Sequence, residues 1–199
     1  MNTRELLFAS GNHGKCKEIL KSLEPLNIKV HLQSDMNITS IEETGLTFVE
    51  NAILKARHAA EQTNFPSLAD DSGLVVEALN GAPGIKSARF AGDNATSTDN
   101  ISHLLRLMNG SSNRKAYFYC ILVLLQHSND PEPKIFEGRW FGEILKKSTG
   151  HSGFGYDPVF YVPEHNCSAA ELNIQEKNNI SHRGQAITQL KKYYEQIST

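Results

Sequence analysis

Two long apolar runs, KAYFYCILVLLQH (115–127) and KIFEGRWFGEIL (134–145), flank the turn-forming stretch NDPEP. Their β-branched and aromatic content predicts two long strands, and the short proline-bearing connection predicts a hairpin. A hairpin makes its two strands antiparallel, so any sheet that holds this one contains an antiparallel pair. The rest of the chain alternates strand and helix patterns. ELLFA (5–9) and IKVHLQ (28–33) read as strands, with the amphipathic KCKEILKSL (15–23) between them as a helix. Alternation of this kind builds α/β folds. The two signals together predict a mixed sheet flanked by helices.

A second helix is expected from Thr47 to about Thr63, with Thr47 and Glu50 spaced as a capping box. SLAD (67–70) and LVVEAL (74–79) read as strands on either side of a DDSG turn, because Asp, Ser and Gly all form turns readily. GAPG (81–84) is a tight loop, STDNISHLLRLM (97–108) a helix capped by Ser97 or Thr98, VFYV (159–162) a short strand, and the last helix opens at Ser181. No repeat or low-complexity segment interrupts this order. A length of 199 residues suits a single domain over 1–199, with or without two lobes.

Composition narrows the partners. The net charge of −2 and the lack of clustered Lys and Arg argue against a nucleic acid polymer. Cys16, Cys120 and Cys167 are odd in number and widely spaced, without zinc or disulfide spacing, which suits a reducing cytoplasm. The opening MNTRELLFAS has no leader pattern, and no apolar run approaches a membrane span. A soluble, unprocessed chain with no membrane partner is expected.

Three constellations carry chemistry. SGNHGK (10–15) sits between a strand and a helix, where free N–H groups and the helix dipole favour an anion. It is no Walker loop, since only two residues separate Gly11 from the Gly14-Lys15 pair and Cys16 follows. Lys15 is left as a candidate phosphate contact. Glu42, Asp70 and Asp71 supply hard oxygen ligands if the loop after the second strand folds over the DDSG turn, and magnesium takes one or two carboxylates. Glu43 reads as a solvated loop charge. On the 47–63 helix, Phe48, Ala52, Ala56, Ala59 and Ala60 form an apolar side, edged by Asn51, Lys55, His58 and Gln62. His58 and Gln62 read as solvated edge, Asn51 and Lys55 as possible cleft residues. In GFGYDP, Phe154 and Tyr156 are possible stacking surfaces and Asp157 an acceptor, with Gly153 and Gly155 allowing close backbone approach. His182 and Arg183 open the last helix, where cations oppose the dipole and so need a base or phosphate as a reason.

In this order, SGNHGK, EETGLTFVENAILKA, ADDSGL, GAPGIKSARFAG, GFGYDP and SHRGQA resemble the inosine triphosphate pyrophosphatase family, the dITP/XTP pyrophosphatases. The resemblance implies magnesium-dependent hydrolysis of ITP, dITP and XTP to the monophosphate and pyrophosphate, cleansing the cytoplasmic nucleotide pool. It implies a homodimer, and an elongated mixed sheet in two lobes with a central active-site cleft. Ser10, Gly11, Asn12, His13, Gly14 and Lys15 would grip the triphosphate, with Asn51 and Lys55 facing it. Glu42 and Asp71 would bind Mg2+, and Asp71, with Asp70 and Lys55, would carry the catalysis. Ser72, Phe154, Gly155, Tyr156, Asp157, Lys177, His182 and Arg183 would hold the nucleoside. Ser152 departs from the Gly-Gly that often precedes the phenylalanine of GFGYDP. A nucleotide sensor without catalysis would lack the carboxylates, and Glu42, Asp70 and Asp71 are all present.

Overall fold

In the computed structural model, residues 4–197 are described. Seven strands form one mixed sheet in the order β2-β1-β3-β4-β5-β6-β7. They are β1 (Arg4–Ala9), β2 (Ile28–Leu32), β3 (Ser67–Val76), β4 (Lys115–Leu125), β5 (Lys134–Ile144), β6 (Phe160–Val162) and β7 (Cys167–Ser168). β1 runs parallel to both β2 and β3, while β5 with β6 and β6 with β7 are antiparallel. The hairpin strands β4 and β5 are sheet neighbours. Five helices accompany them: α1 (His13–Leu23), α2 (Phe48–Thr63), α3 (Ser97–Leu107), α4 (Ile174–Ile180) and α5 (His182–Gln196).

The chain divides into two compact units, one of Met1–Asp71, Ile121–Glu137 and Ala186–Thr199, the other of Ser72–Cys120 and Gly138–Gln185. In the first, Leu6, Leu7, Phe8, Ile19, Leu23, Ala52, Ala56 and Leu68 are buried. The alanines of α2 keep its inner face thin, so that Ser67 Oγ reaches the Ala56 carbonyl at 2.7 Å. In the second, Leu74, Val76, Leu104, Met108, Phe118, Trp140 and Phe160 form one apolar cluster.

Three local expectations are corrected. SLADDSGLVV is one continuous strand, not two strands about a turn. Leu7, Phe8 and Ala9 pair with Ser67, Leu68 and Ala69, and nearly every residue of β3 is buried. Ladder bonding and burial on both faces outweigh the turn preference of Asp-Asp-Ser-Gly. The strand stops at Val76, and Glu77–Leu79 is a single 3-10 turn closed by Asn80 at φ 50°. Helix α3 is capped by Thr96, whose hydroxyl accepts from Asp99 N–H while Asp99 Oδ2 accepts from Thr96 N–H. That reciprocal box satisfies two donors where Ser97 or Thr98 offered one.

Helix α5 also shields the edge of β5, which meets β6 only at Glu143 and Ile144. Further up the strand, Gln189 accepts from Glu137 N–H and donates to its carbonyl, and Gln185 does the same at Arg139. Four helical residues rise about 6 Å and two strand residues about 6.6 Å, so two glutamines one turn apart match alternate residues of a strand. They satisfy an edge that would otherwise invite another strand. Gly138 lies between them, and a Cβ there would come 2.0 Å from the His182 carbonyl oxygen.

Candidate active site

The order β2-β1-β3, reached through α1 and α2, has a consequence for side chains. Right-handed crossovers in opposite directions, from β1 to β2 and back from β2 past β1 to β3, put α1 and α2 on opposite faces of the sheet. In such sheets ligands bind beyond the carboxyl ends of the strands at that switch point. Ala9 pairs with Ala69, so Ser10 leaves β1 level with Asp70. Asn12 then caps α1, its Oδ1 accepting from Lys15 N–H at 3.1 Å, and Ser10 Oγ accepts from Asn12 N–H at 3.3 Å. The side-chain oxygen of Asn12 is thus spent on building the helix start. Gly11 has open space around it.

Successive residues of a strand point to opposite faces. Asp70 accordingly meets Lys15 from α1, with Nζ to Oδ2 at 2.8 Å, and Asp71 meets Lys55 from α2, with Nζ to Oδ1 at 3.7 Å. Both aspartates are buried, at 1% and 5% exposure. Burial pushes the Asp71 carboxyl up to about 6; Lys55 and Lys15 pull it down, while Glu43 and Asp70 add to the rise. Lys55 shows the complement. Burial works to lower its pKa, yet Asp70, Asp71 and Glu43 more than offset this and raise it.

Glu43 is the site residue that sequence reasoning missed. Rather than a solvated charge, it accepts from Lys55 Nζ at 2.7 Å through Oε1. Its neighbour Glu42 is exposed. Asn51 is fully buried, and its Oδ1 accepts from Gly45 N–H at 2.8 Å. His58, read from sequence as solvated edge, is bonded through Nε2 to the Thr39 carbonyl at 2.9 Å. The Thr47–Glu50 capping box of α2 is present as its spacing predicts.

The second unit holds a separate polar cluster, built around Asp157. Its Oδ2 accepts from Phe154 N–H at 2.8 Å and from the Lys177 ammonium. Gly153 stands at φ +81°, and a Cβ there would lie 2.1 Å from that same oxygen. Gly155 also has positive φ, at +62°. Phe154 remains 40% exposed, with Lys177 Nζ 4.9 Å and Arg183 Cζ 5.7 Å from its ring centroid. Arg183 donates to Ser72 Oγ at 3.1 Å. Tyr156 differs from its neighbour: it lies in the apolar cluster and donates its hydroxyl to the Ser87 carbonyl at 2.9 Å. His182 is likewise buried, its ring stacked on Phe118 at 4.9 Å and 12°. The aromatic surface left for a ligand is therefore Phe154.

Lys177 is presented by α4, a helix absent from the sequence reading. Its signal was available in Asn173 and Glu176, which form another capping box. Ser181 ends α4, and its Oγ accepts from Gly184 N–H at 3.1 Å in the first turn of α5. A Cβ on Gly184 would lie 1.7 Å from the Asn178 carbonyl oxygen, so only glycine lets the two helices turn here.

A doubly wound half in which lysines from α1 and α2 meet buried carboxylates in the middle of β3, level with the chain leaving β1, and which antiparallel strands extend, defines the class: an α/β protein with a mixed sheet and a charged switch point. The profile of the Ham1 family matches residues 6–193, and the chain belongs to that family. It is 53% identical over 188 residues to a dITP/XTP pyrophosphatase of Coxiella burnetii, covering 94% of each chain. To the dITP/XTP pyrophosphatase of Photorhabdus laumondii it is 52% identical over 186 residues, 92% of this chain and 94% of that one. The fold is similar to a solved HAM1 protein from Coxiella burnetii, with a TM-score of 0.93, 51% identity, and coverage of 97% of this chain and 99% of that one. It is also similar to the Staphylococcus aureus Ham1 protein, with a TM-score of 0.86 and 40% identity over 96% of this chain and 98% of that one.

Proposed function

We propose that the chain is a nucleoside triphosphate pyrophosphatase acting on dITP, ITP and XTP, with residues 1–199 serving as one catalytic domain. The observation that carries this reading is the buried Asp70–Asp71 pair, met by Lys15 beside the start of α1 and by Lys55 from α2. The relatives named dITP/XTP pyrophosphatase supply the substrate class.

In this reading the N–H groups of Gly11, His13 and Gly14 and the ammonium groups of Lys15 and Lys55 take the triphosphate. Both lysines keep their carboxylate partners and turn their remaining ammonium N–H donors to phosphate oxygens. Asp71, pushed up to about 6, is matched to accepting a proton near neutral pH. It takes the proton of the water that opens the α–β anhydride, and the electron pair of the broken P–O bond leaves with one of the two phosphate products. Asp70 keeps Lys15 in place. Phe154 stacks on the base, and Lys177, Arg183 and Ser72 line its surroundings.

The donor set suits magnesium. Among the described residues no group of three or more His, Cys, Asp or Glu lies close enough to hold a metal alone. Magnesium instead takes one or two carboxylates and fills its shell with water and phosphate oxygens. With Glu43 engaged by Lys55, the exposed Glu42 and Asp71 are the carboxylates we assign to it. When bound, it would supply positive charge against the phosphates.

Free thiols at Cys16, Cys120 and Cys167 support a cytoplasmic location. Among the described residues no helix is long and apolar enough to cross a membrane. A homodimer is also part of the proposal. On the outer face of β4 and β5, Phe141 is 67% exposed and lies 5.5 Å from Tyr117, and Arg139 stands 4.7 Å over Tyr119. Tyr, Phe and Arg gather at interfaces. Sedimentation at the mass of two chains is expected, with Phe141→Glu shifting it to one; a native single-chain species would remove the dimer. The activity itself is tested by identifying the products formed from dITP and magnesium.

A further inference from the structure

Three side chains on one edge of α2 reach the same loop. Asn51 Oδ1 accepts from Gly45 N–H at 2.8 Å, Lys55 Nζ donates to Glu43 Oε1 at 2.7 Å, and His58 Nε2 bonds the Thr39 carbonyl at 2.9 Å. Spacings of four and three place the three side chains in one row on a helix. Their partners run in the opposite direction, 45, 43, 39, so the loop lies antiparallel along the helix edge. At the helix start Glu50 Oε2 also holds the end of the loop, accepting from the N–H groups of Leu46 and Thr47. Gly45 fits because it has no side chain: a Cβ would sit 2.7 Å from Asn51 Oδ1. A carbonyl oxygen only accepts, so His58 carries its proton on Nε2.

We propose that His58 is a positioning residue for the acidic loop, fixing Glu42 by anchoring Thr39. Glu42 is exposed, and the anchors around it are Glu43 on Lys55 downstream and, upstream, Thr39 on His58 together with Ser40, whose Oγ accepts from Gln33 Nε2 at 3.1 Å. Without His58 the segment 39–42 loses its upstream tie to α2 while the ties at 43 and 45 remain. The inference rests on the reading of Glu42 as a carboxylate that serves the metal. His58 acts through the loop and touches neither substrate nor metal.

The test uses the full chain as His58→Ala and His58→Gln, since a glutamine amide places its N–H near the position of Nε2. One hydrogen bond is worth about 2- to 12-fold in an opening equilibrium. In His58→Ala, amide exchange over 39–42 is expected to quicken by about that factor. The magnesium concentration for half-maximal dITP hydrolysis is expected to rise similarly, with kcat at saturating magnesium changed less than about 2-fold. His58→Gln should restore both. Unchanged exchange in the alanine variant overturns the proposal, as does a glutamine variant that behaves like alanine, or a fall in kcat with no change in magnesium requirement. If the native chain does not hydrolyse dITP, the assigned activity fails, and the exchange measurement alone decides whether His58 anchors the loop.

Discussion

Replacing Asp71 with asparagine is expected to lower dITP hydrolysis by about 10²–10⁴-fold, the usual worth of a general base, and to raise the stability of the metal-free protein at neutral pH. The two effects have one cause. The Asp71 carboxyl titrates at about 6 in the fold against 3.8 outside it, because burial disfavours its charge. Between these values the folded chain holds a proton that the unfolded chain has released, so stability falls as pH rises from about 4 to about 6 and stays lower above. Two units correspond to about 3 kcal/mol at most. Asparagine does not ionise and escapes that cost. Thermal unfolding in a chelator should therefore show the variant more stable than the native chain near pH 8, with the gain vanishing near pH 4. Near-native turnover, or a variant less stable at both pH values, contradicts the assignment of Asp71.

A preference for ITP over ATP of about 100-fold in kcat/KM is the second large effect. Hypoxanthine presents a carbonyl where adenine presents an amino group. A site offering donors there leaves both sides unpaired when adenine enters, at about 1–3 kcal/mol for each buried group. Of the two donors that the sequence places at the start of the last helix, the structure favours Arg183, because His182 stacks inside the apolar cluster. Arg183→Ala should bring the two nucleotides within about tenfold of each other. Selectivity unchanged in that variant would move base recognition away from Arg183, and equal native rates on ITP and ATP would remove the proposed substrate class.

The sheet was legible in the sequence because its signals are local and periodic: the hairpin about NDPEP, the strand-helix-strand opening and the Thr47 capping box each state themselves within a short window. β3 was misread for the converse reason. Its Asp-Asp-Ser-Gly core prefers a turn, and only pairing to β1 holds it extended. Helix α4 escaped notice because seven residues show little periodicity, although its Asn173–Glu176 box was there to be read. The lysines and aspartates were nameable from their motifs, but their pairing was not. It follows from alternation along β3 and from the two helices that approach it, which are properties of the fold. Glu43 and His58 were the least visible, since each depends on how a loop without secondary structure lies along α2.

The most direct measurement is the product pair formed from dITP with magnesium by the native chain, resolved by phosphorus NMR. Cleavage at the α–β anhydride predicts dIMP and pyrophosphate in equal amounts from the first turnover, with no dIDP. Accumulation of dIDP with orthophosphate, or no turnover at all, would contradict the account.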